Sequence, residues 1–157
     1  MKKPLCIAFV IVFMLSFTGC KKNSGRTFDY FGDDFSWDMT PEQAKKFIES
    51  RQLIKKTVTI EDQYGIDTIV SDGDYVFRFN KNMNMDMAKH IVGGDPMLIE
   101  TIKSWYGEPD EMKGEGTTAY YVWEGTMGGK KTELQFNPTV KSTSGNPTLQ
   151  LCFVPKD

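Results

Sequence analysis

The sequence predicts an α+β domain in which two helices pack on one face of an antiparallel sheet of about five or six strands. Two segments combine helix boundary signals with apolar residues at three- and four-residue spacing. Several short runs alternate apolar and polar residues and are separated by residues typical of turns. These segments follow one another as helix, two or three strands, helix and three strands. Because this order groups the strands instead of alternating them with helices, it favours an α+β fold over an α/β fold.

The first predicted helix begins at a capping box, Thr-Pro-Glu-Gln at 40–43. The Thr40 side chain can accept a hydrogen bond from the backbone N–H of Gln43, and Pro41 suits the first helical position. An apolar stripe follows, which consists of Ala44, Phe47 and Ile48. We expect the helix to end near Leu53 or Ile54 and to bury this stripe.

The predicted strands carry alternating apolar residues between turn signals. They are 57–60, 66–70, 75–79, 118–124, 132–137 and 148–154. The strongest turn signal, Ser-Asp-Gly-Asp at 71–74, separates the second strand from the third. A glycine-rich segment, 125–129, is predicted to join the fourth and fifth strands as a hairpin.

The second predicted helix has Asp95 as its N-cap and Pro96 at its first position. Gly107 ends it, and Pro109 reinforces the stop. Its wide apolar face consists of Leu98, Ile99, Ile102, Trp105 and Tyr106. We expect this whole face to be buried, so that Trp105 is a core residue.

The chain begins with Met1-Lys2-Lys3 and then carries no charge from Pro4 to Cys20. As a helix this uncharged run reaches only about 26 Å, which is shorter than the hydrocarbon core of a bilayer, roughly 30 Å. A short basic region, an apolar core and small residues before a cleavage point are typical of an export signal. An uncleaved membrane span and ordinary secretion are the alternatives.

Ser-Phe-Thr-Gly-Cys at 16–20 resembles the lipobox of bacterial lipoproteins. In that family the cysteine is acylated and becomes the first residue of the mature chain, which here is Cys20. The resemblance implies a signal peptide at 1–19, a lipid-anchored cysteine with a linker at 20–38, and a single domain at 39–157. It also implies a location in the bacterial cell envelope, which we expect to be the outer membrane, facing the periplasm.

Composition limits the function of the mature chain. The net charge of the whole chain is −2, and removal of residues 1–19 takes Lys2 and Lys3 with it. A negative domain has no electrostatic footprint for nucleic acid, so we expect no nucleic-acid partner. Of the three cysteines, Cys6 is lost with the signal and Cys20 carries lipid, which leaves Cys152 unable to form an intramolecular disulfide. Cys152 lies in an apolar run and is interpreted as a buried, inert thiol.

The segment before the first helix is rich in aromatic residues, which alternate with acids. They are Phe28, Tyr30, Phe31, Phe35 and Trp37. One interpretation is that some of these side chains pack onto the domain. The other is that they form an acidic, aromatic contact surface for a partner protein.

A methionine-rich segment suggests a second class of function. Met83, Met85 and Met87 are expected on one side of an extended chain, with His90 three residues further on. Thioether and imidazole groups are soft ligands that suit Cu(I), so a carrier of Cu(I) or another soft metal is the alternative. The structural interpretation is that the methionines fill a core, in which case no cofactor is expected.

No catalytic motif is recognised in the sequence. His90 is the only histidine and is interpreted as a solvated or capping residue. Neither a nucleophile elbow nor a P-loop is present. Asp72 and Asp74 flank Gly73 and are interpreted as a tight turn, because the spacing of a calcium loop is missing. An enzyme whose acidic or serine residues converge only in the fold is the remaining alternative.

Three further segments carry a family resemblance: the helix start at 39–43, Ile-Lys-Ser-Trp-Tyr-Gly-Glu-Pro at 102–109 and the aromatic strand at 120–123. Together they resemble small envelope lipoproteins, which include the small lipoprotein of the outer-membrane β-barrel assembly machine, and the fold-related β-lactamase inhibitor proteins. These relatives bind proteins and are not enzymes. The resemblance therefore implies a non-enzymatic envelope protein that presents a protein-binding domain to an envelope partner.

Overall fold

The computed structural model describes residues 25–63, 65–93, 97–138 and 149–156. This part of the chain contains helices α1 (Pro41–Arg51) and α2 (Leu98–Tyr106). Its strands are β1 (Thr59–Gln63), β2 (Asp67–Ser71), β3 (Tyr75–Phe79), β4 (Met85–Val92), β5 (Glu111–Lys113), β6 (Tyr120–Met127), β7 (Lys130–Asn137) and β8 (Leu149–Pro155). The α+β class is confirmed. The prediction of five or six strands is wrong, because β4 and β5 add two.

All eight strands form one antiparallel sheet in the order β1-β2-β3-β4-β8-β7-β6-β5. The last strand of the chain, β8, therefore lies in the middle of the sheet and pairs with β4 on one side and β7 on the other. The remaining neighbours are consecutive in sequence. The sheet thus consists of two meanders that meet at β8.

A single row of side chains crosses the middle of the sheet and forms the base of the core. Strand pairing aligns its members in the order Val70, Phe77, Ala88, Phe153, Leu134 and Trp123. Each of the six is 0% exposed. Because paired residues point to the same side of a sheet, this row defines the covered face.

Both helices contact this covered face. The Phe47 ring of α1 lies 5.7 Å from the ring of Phe77. Directly after α2, the carbonyl of Gly107 accepts a hydrogen bond of 2.8 Å from Nε1 of Trp123. The opposite face of the sheet is therefore the one that neither helix covers.

Helix α1 has the predicted capping box. The backbone N–H of Gln43 donates to Oγ1 of Thr40, and the Thr40 N–H donates to the Gln43 side chain. The helix ends at Arg51 and not near Leu53 or Ile54. Because the chain leaves the helix earlier than predicted, both aliphatic residues remain exposed.

The aromatic segment before α1 packs onto the covered face. Phe28, Phe31, Phe35 and Trp37 are all buried in the core. The Phe31 ring lies 5.6 Å from Phe77 and 5.3 Å from Phe153. The packing interpretation is confirmed for these four residues. Because their side chains are buried, they cannot form a contact surface for a partner protein. The part of the predicted linker 20–38 that the structure describes, residues 25–38, thus belongs to the domain.

Helix α2 buries only part of its predicted apolar face. Leu98, Ile102 and Tyr106 are buried, whereas Trp105 is 54% exposed. The expectation that Trp105 is a core residue is therefore wrong. The predicted N-cap, Asp95, and Pro96 lie outside the described residues.

Within the described ranges, neither helix is long and apolar enough to cross a bilayer. Cys20 and the rest of the predicted lipobox lie outside these ranges.

The tight turn predicted at Asp72 is confirmed. Oδ1 of Asp72 accepts hydrogen bonds from the backbone N–H groups of Asp74, at 3.0 Å, and Tyr75, at 2.7 Å.

Candidate functional site

Tyr30, His90 and Tyr75 form a compact polar and aromatic cluster on the covered face. The phenolic oxygen of Tyr30 lies 2.5 Å from Nδ1 of His90. On its other side, the His90 ring stacks on Tyr75 with centroids 4.3 Å apart and planes 14° from parallel. Strand pairing explains the stack, because Tyr75 of β3 is paired with His90 of β4. The three residues lie at the border of the core, where all are half-buried.

The surroundings favour the uncharged forms of Tyr30 and His90 at neutral pH. Burial raises the pKa of Tyr30, and the nearby Tyr75 raises it further. Burial lowers the pKa of His90, an effect that the Asp72 carboxylate opposes and the Lys56 ammonium reinforces. The hydrogen bond therefore joins a protonated phenol and a neutral imidazole.

An open cavity of about 240 Å³ lies beside Tyr75 and His90. Its other walls come from the end of α1 and the turn after β2: Arg51, Gln52, Leu53, Ile54, Lys56, Asp72 and Asp74. Leu53 is fully exposed and Ile54 is 75% exposed. Two adjacent aliphatic side chains thus stand in solvent at the rim of a cavity with an aromatic wall.

A second open cavity, of about 490 Å³, lies beside Tyr30. It is lined by Thr27, Asp29, Tyr30, Trp105 and Tyr106. The Tyr30 ring lies 6.3 Å from Trp105 and 5.7 Å from His90. Tyr30 therefore lines the cavity bordered by Trp105 and is hydrogen-bonded to His90, which lines the other cavity.

The proposed metal ligands do not come together. Met85 pairs with Phe79 and Met87 pairs with Arg78, so Asp86 is an extra residue in β4. Such a bulge shifts the alternation of side chains by one position. Met85 is consequently buried on the covered face with Phe79, whereas Met87 lies on the opposite face with Arg78.

The other two candidate ligands also lie apart. Met83 is exposed in the turn before β4, and its sulfur lies 3.8 Å from Oγ1 of Thr68. His90 is held by Tyr30 and Tyr75. The expectation that Met83, Met85 and Met87 share one side is wrong, and the four side chains form no common ligand set. In the described residues no group of three His, Cys, Asp or Glu side chains could hold a metal ion.

Cys152 and His90 point to opposite faces of the sheet. Cys152 pairs with Lys89 in β4 and lies half-buried, beside Met87, on the face that the helices leave open. Burial raises the pKa of its thiol, although Lys89 and Arg78 act in the opposite direction. This environment favours an unreactive thiol without a histidine base.

Comparison with protein-family models, curated proteins and solved structures finds no match for this chain.

No pattern in the sequence connects Tyr30 with His90. Tyr30 is predicted only as part of an aromatic segment, and His90 as a soft-metal ligand or as a solvated or capping residue. Leu53 and Ile54 were expected at the end of a helix and not beside a cavity. The one local signal that could have suggested exposure is Gln52 followed by two aliphatic residues and two lysines, which is a poor pattern for a buried helical turn.

Proposed function

We propose that this chain is a non-enzymatic, lipid-anchored cell-envelope protein whose α+β domain binds another envelope protein. The observation that carries the binding part is the exposed Leu53–Ile54 pair at the rim of the cavity beside Tyr75 and His90. Exposed aliphatic side chains next to a concave aromatic wall are typical of protein contact sites. The anchoring part rests on the lipobox-like residues that end at Cys20.

The partner chemistry follows from the walls of this cavity. Tyr75 and His90 offer stacked rings for an apolar or aromatic side chain, which the cavity of about 240 Å³ is large enough to admit. Lys56 and Asp74 form an ion pair on its border. A mixed rim of this kind fits a protein surface with an apolar anchor surrounded by polar groups.

The test is site-specific photo-crosslinking in intact cells that express the full-length protein. A photoreactive residue replaces Leu53 in one variant and Met112 in the control. Met112 is also strongly exposed, at 62%, but lies in β5 at the other end of the sheet. We expect a discrete adduct with one envelope protein from position 53 and none from position 112.

Two results would overturn the proposal. Equal adducts at both positions would show that the contact is not specific to the Leu53 surface. Absence of any adduct from well-expressed, anchored protein would contradict protein binding at this site. A Cys20→Ala variant tests the anchor separately, since it should leave the membrane fraction and lose incorporation of labelled fatty acid.

A further inference from the structure

We propose that the surface around Thr27, Tyr30 and Trp105 faces the bilayer that holds the acyl chains of Cys20, with the Trp105 indole at the headgroup level. The inference rests on the lipid anchor proposed above. The bilayer is the expected occupant of the cavity bordered by Trp105. The proposed protein-binding surface at Leu53 belongs to the other cavity, which none of these three residues lines.

The domain is fixed to its N-terminal segment from Arg26 onward. The Arg26 carbonyl accepts a hydrogen bond of 2.9 Å from the Thr126 N–H, and the Phe28 N–H donates to the Thr126 carbonyl at 2.8 Å. The Arg26 side chain is only 6% exposed and lies 2.6 Å from a carboxylate oxygen of Asp110. Thr27 therefore forms a single parallel bridge with Thr126 of β6, which holds this segment against the sheet.

The remaining chain between Arg26 and the anchor is short. About six residues lead from Cys20 to Arg26, and they span at most about 21 Å when fully extended. A domain of roughly 130 residues has a radius of gyration of about 14 Å and hence a diameter of roughly 36 Å. The tether is shorter than half of the circumference of a sphere with this diameter, so it cannot reach around to the far side of the domain. The hemisphere that contains Arg26 must therefore face the membrane.

Trp105 lies in that hemisphere. It lines the same cavity as Thr27, the residue after Arg26. A guanidinium nitrogen of Arg26 also donates to the backbone carbonyl of Glu108, at 3.3 Å, just beyond the end of α2. Trp105 is 54% exposed and stands next to Tyr30. Because tryptophan and tyrosine are enriched where a bilayer meets water, these rings suit the headgroup region.

Charges of both signs lie near this surface. Asp29 lines the cavity with Trp105, and the nearby Glu108 is paired with Lys103 at 3.2 Å. Lys21 and Lys22 follow the anchored Cys20 and attract anionic headgroups, whereas the carboxylate of Asp29 disfavours them. Vesicles of zwitterionic phosphatidylcholine are therefore used in the test, so that contact by the rings is measured without a net headgroup charge.

Intrinsic fluorescence can test this orientation, because the chain has three tryptophans and two of them, Trp37 and Trp123, are buried. The acylated full-length protein is reconstituted into phosphatidylcholine vesicles that carry a quencher near the headgroups. We expect this quencher to reduce emission of the wild type. Trp105→Phe is the matched variant, and it should lose most of that quenching.

The controls separate the orientation from the anchor. Wild type that co-sediments with vesicles but shows no more quenching than Trp105→Phe would overturn the orientation and leave the anchor intact. Acylated wild type that fails to co-sediment would overturn the anchor and the orientation together. Cys20→Ala should not co-sediment.

A lengthened tether tests the geometric argument itself. An insertion of about 20 glycine and serine residues before Gly25 adds roughly 25 Å of mean reach. We expect this variant to co-sediment as wild type does and to lose most of the Trp105 quenching. Unchanged quenching would contradict the claim that the short tether sets the orientation.

Discussion

The phenolic oxygen of Tyr30 lies 2.5 Å from Nδ1 of His90, and the two residues are 60 positions apart in the chain. This hydrogen bond joins the segment before α1 to the middle of the sheet. Tyr30 also lies 5.4 Å, ring to ring, from Phe153 in β8. The contact therefore ties together three parts of the chain that are distant in sequence.

The His90 environment predicts that stability falls when the pH drops below about 6.5, the usual pKa of histidine. Burial lowers the pKa of His90 in the folded state, so the unfolded state binds more protons between the two pKa values. Stability in that window therefore rises with pH and is lost on acidification. Urea denaturation of wild type at pH values from about 7.5 to 5.5 should show this decline.

The matched variant for this prediction is His90→Gln, which keeps a polar side chain but cannot take up a proton in this range. Since His90 is the only histidine, the variant should show a flatter pH dependence than wild type. An equally steep decline in both proteins would rule out His90 as its source.

Gly125→Ala should destabilise the fold by about 1–3 kcal/mol, the usual cost of overpacking. A Cβ atom at this position would lie 2.7 Å from the Arg26 carbonyl oxygen and 2.9 Å from the Phe28 ring. The measurement is the free energy of unfolding in urea. Gly93→Ala is the control, because a Cβ there meets nothing within 4 Å, and it should leave stability nearly unchanged.

Asp110→Asn should cost about 3 kcal/mol, because it leaves the buried guanidinium of Arg26 without its charged partner. The side chains of the pair are only 6% and 16% exposed. Asp38→Asn removes an exposed ion pair with Lys130 and should cost less than about 1 kcal/mol. If the two variants unfold at the same urea concentration, the Arg26 pair is not a stabilising element.

Ile102→Ala should destabilise the domain by about 2–5 kcal/mol, as expected for a buried aliphatic residue. Trp105→Ser should cost less than about 1 kcal/mol, since substitutions at exposed positions have small effects. The two residues lie one turn apart in α2. A larger thermal shift for Trp105→Ser than for Ile102→Ala would mean that Trp105 is part of the core after all.

Local signals in the sequence predicted several elements well. The capping box at Thr40 and Gln43 placed the start of α1, since every group involved lies within four residues. β3 was predicted with its observed bounds, because Tyr75 to Phe79 alternate between two turn signals. Trp105 was wrongly predicted to be buried. Periodicity shows which residues share a helix face, but it does not show how far the core extends beneath that face.

Other features depend on pairing between distant segments. The bulge at Asp86 is set by the partner strand β3, so simple alternation put Met85 and Met87 on one face. β5 has only three residues and exists through its pairing with β6. The link between Tyr30 and His90 requires the complete sheet, and no local pattern in either segment encodes it.

The central position of β8 also determines when the domain can fold. Residues 149–155 follow all the other described strands in the chain, yet without them β4 and β7 have no strand between them. The rings of Phe28 and Phe31 likewise need Phe153 for their packing. Folding that waits for such distant contacts is slow, so the two halves of the sheet can join only once this strand is in place.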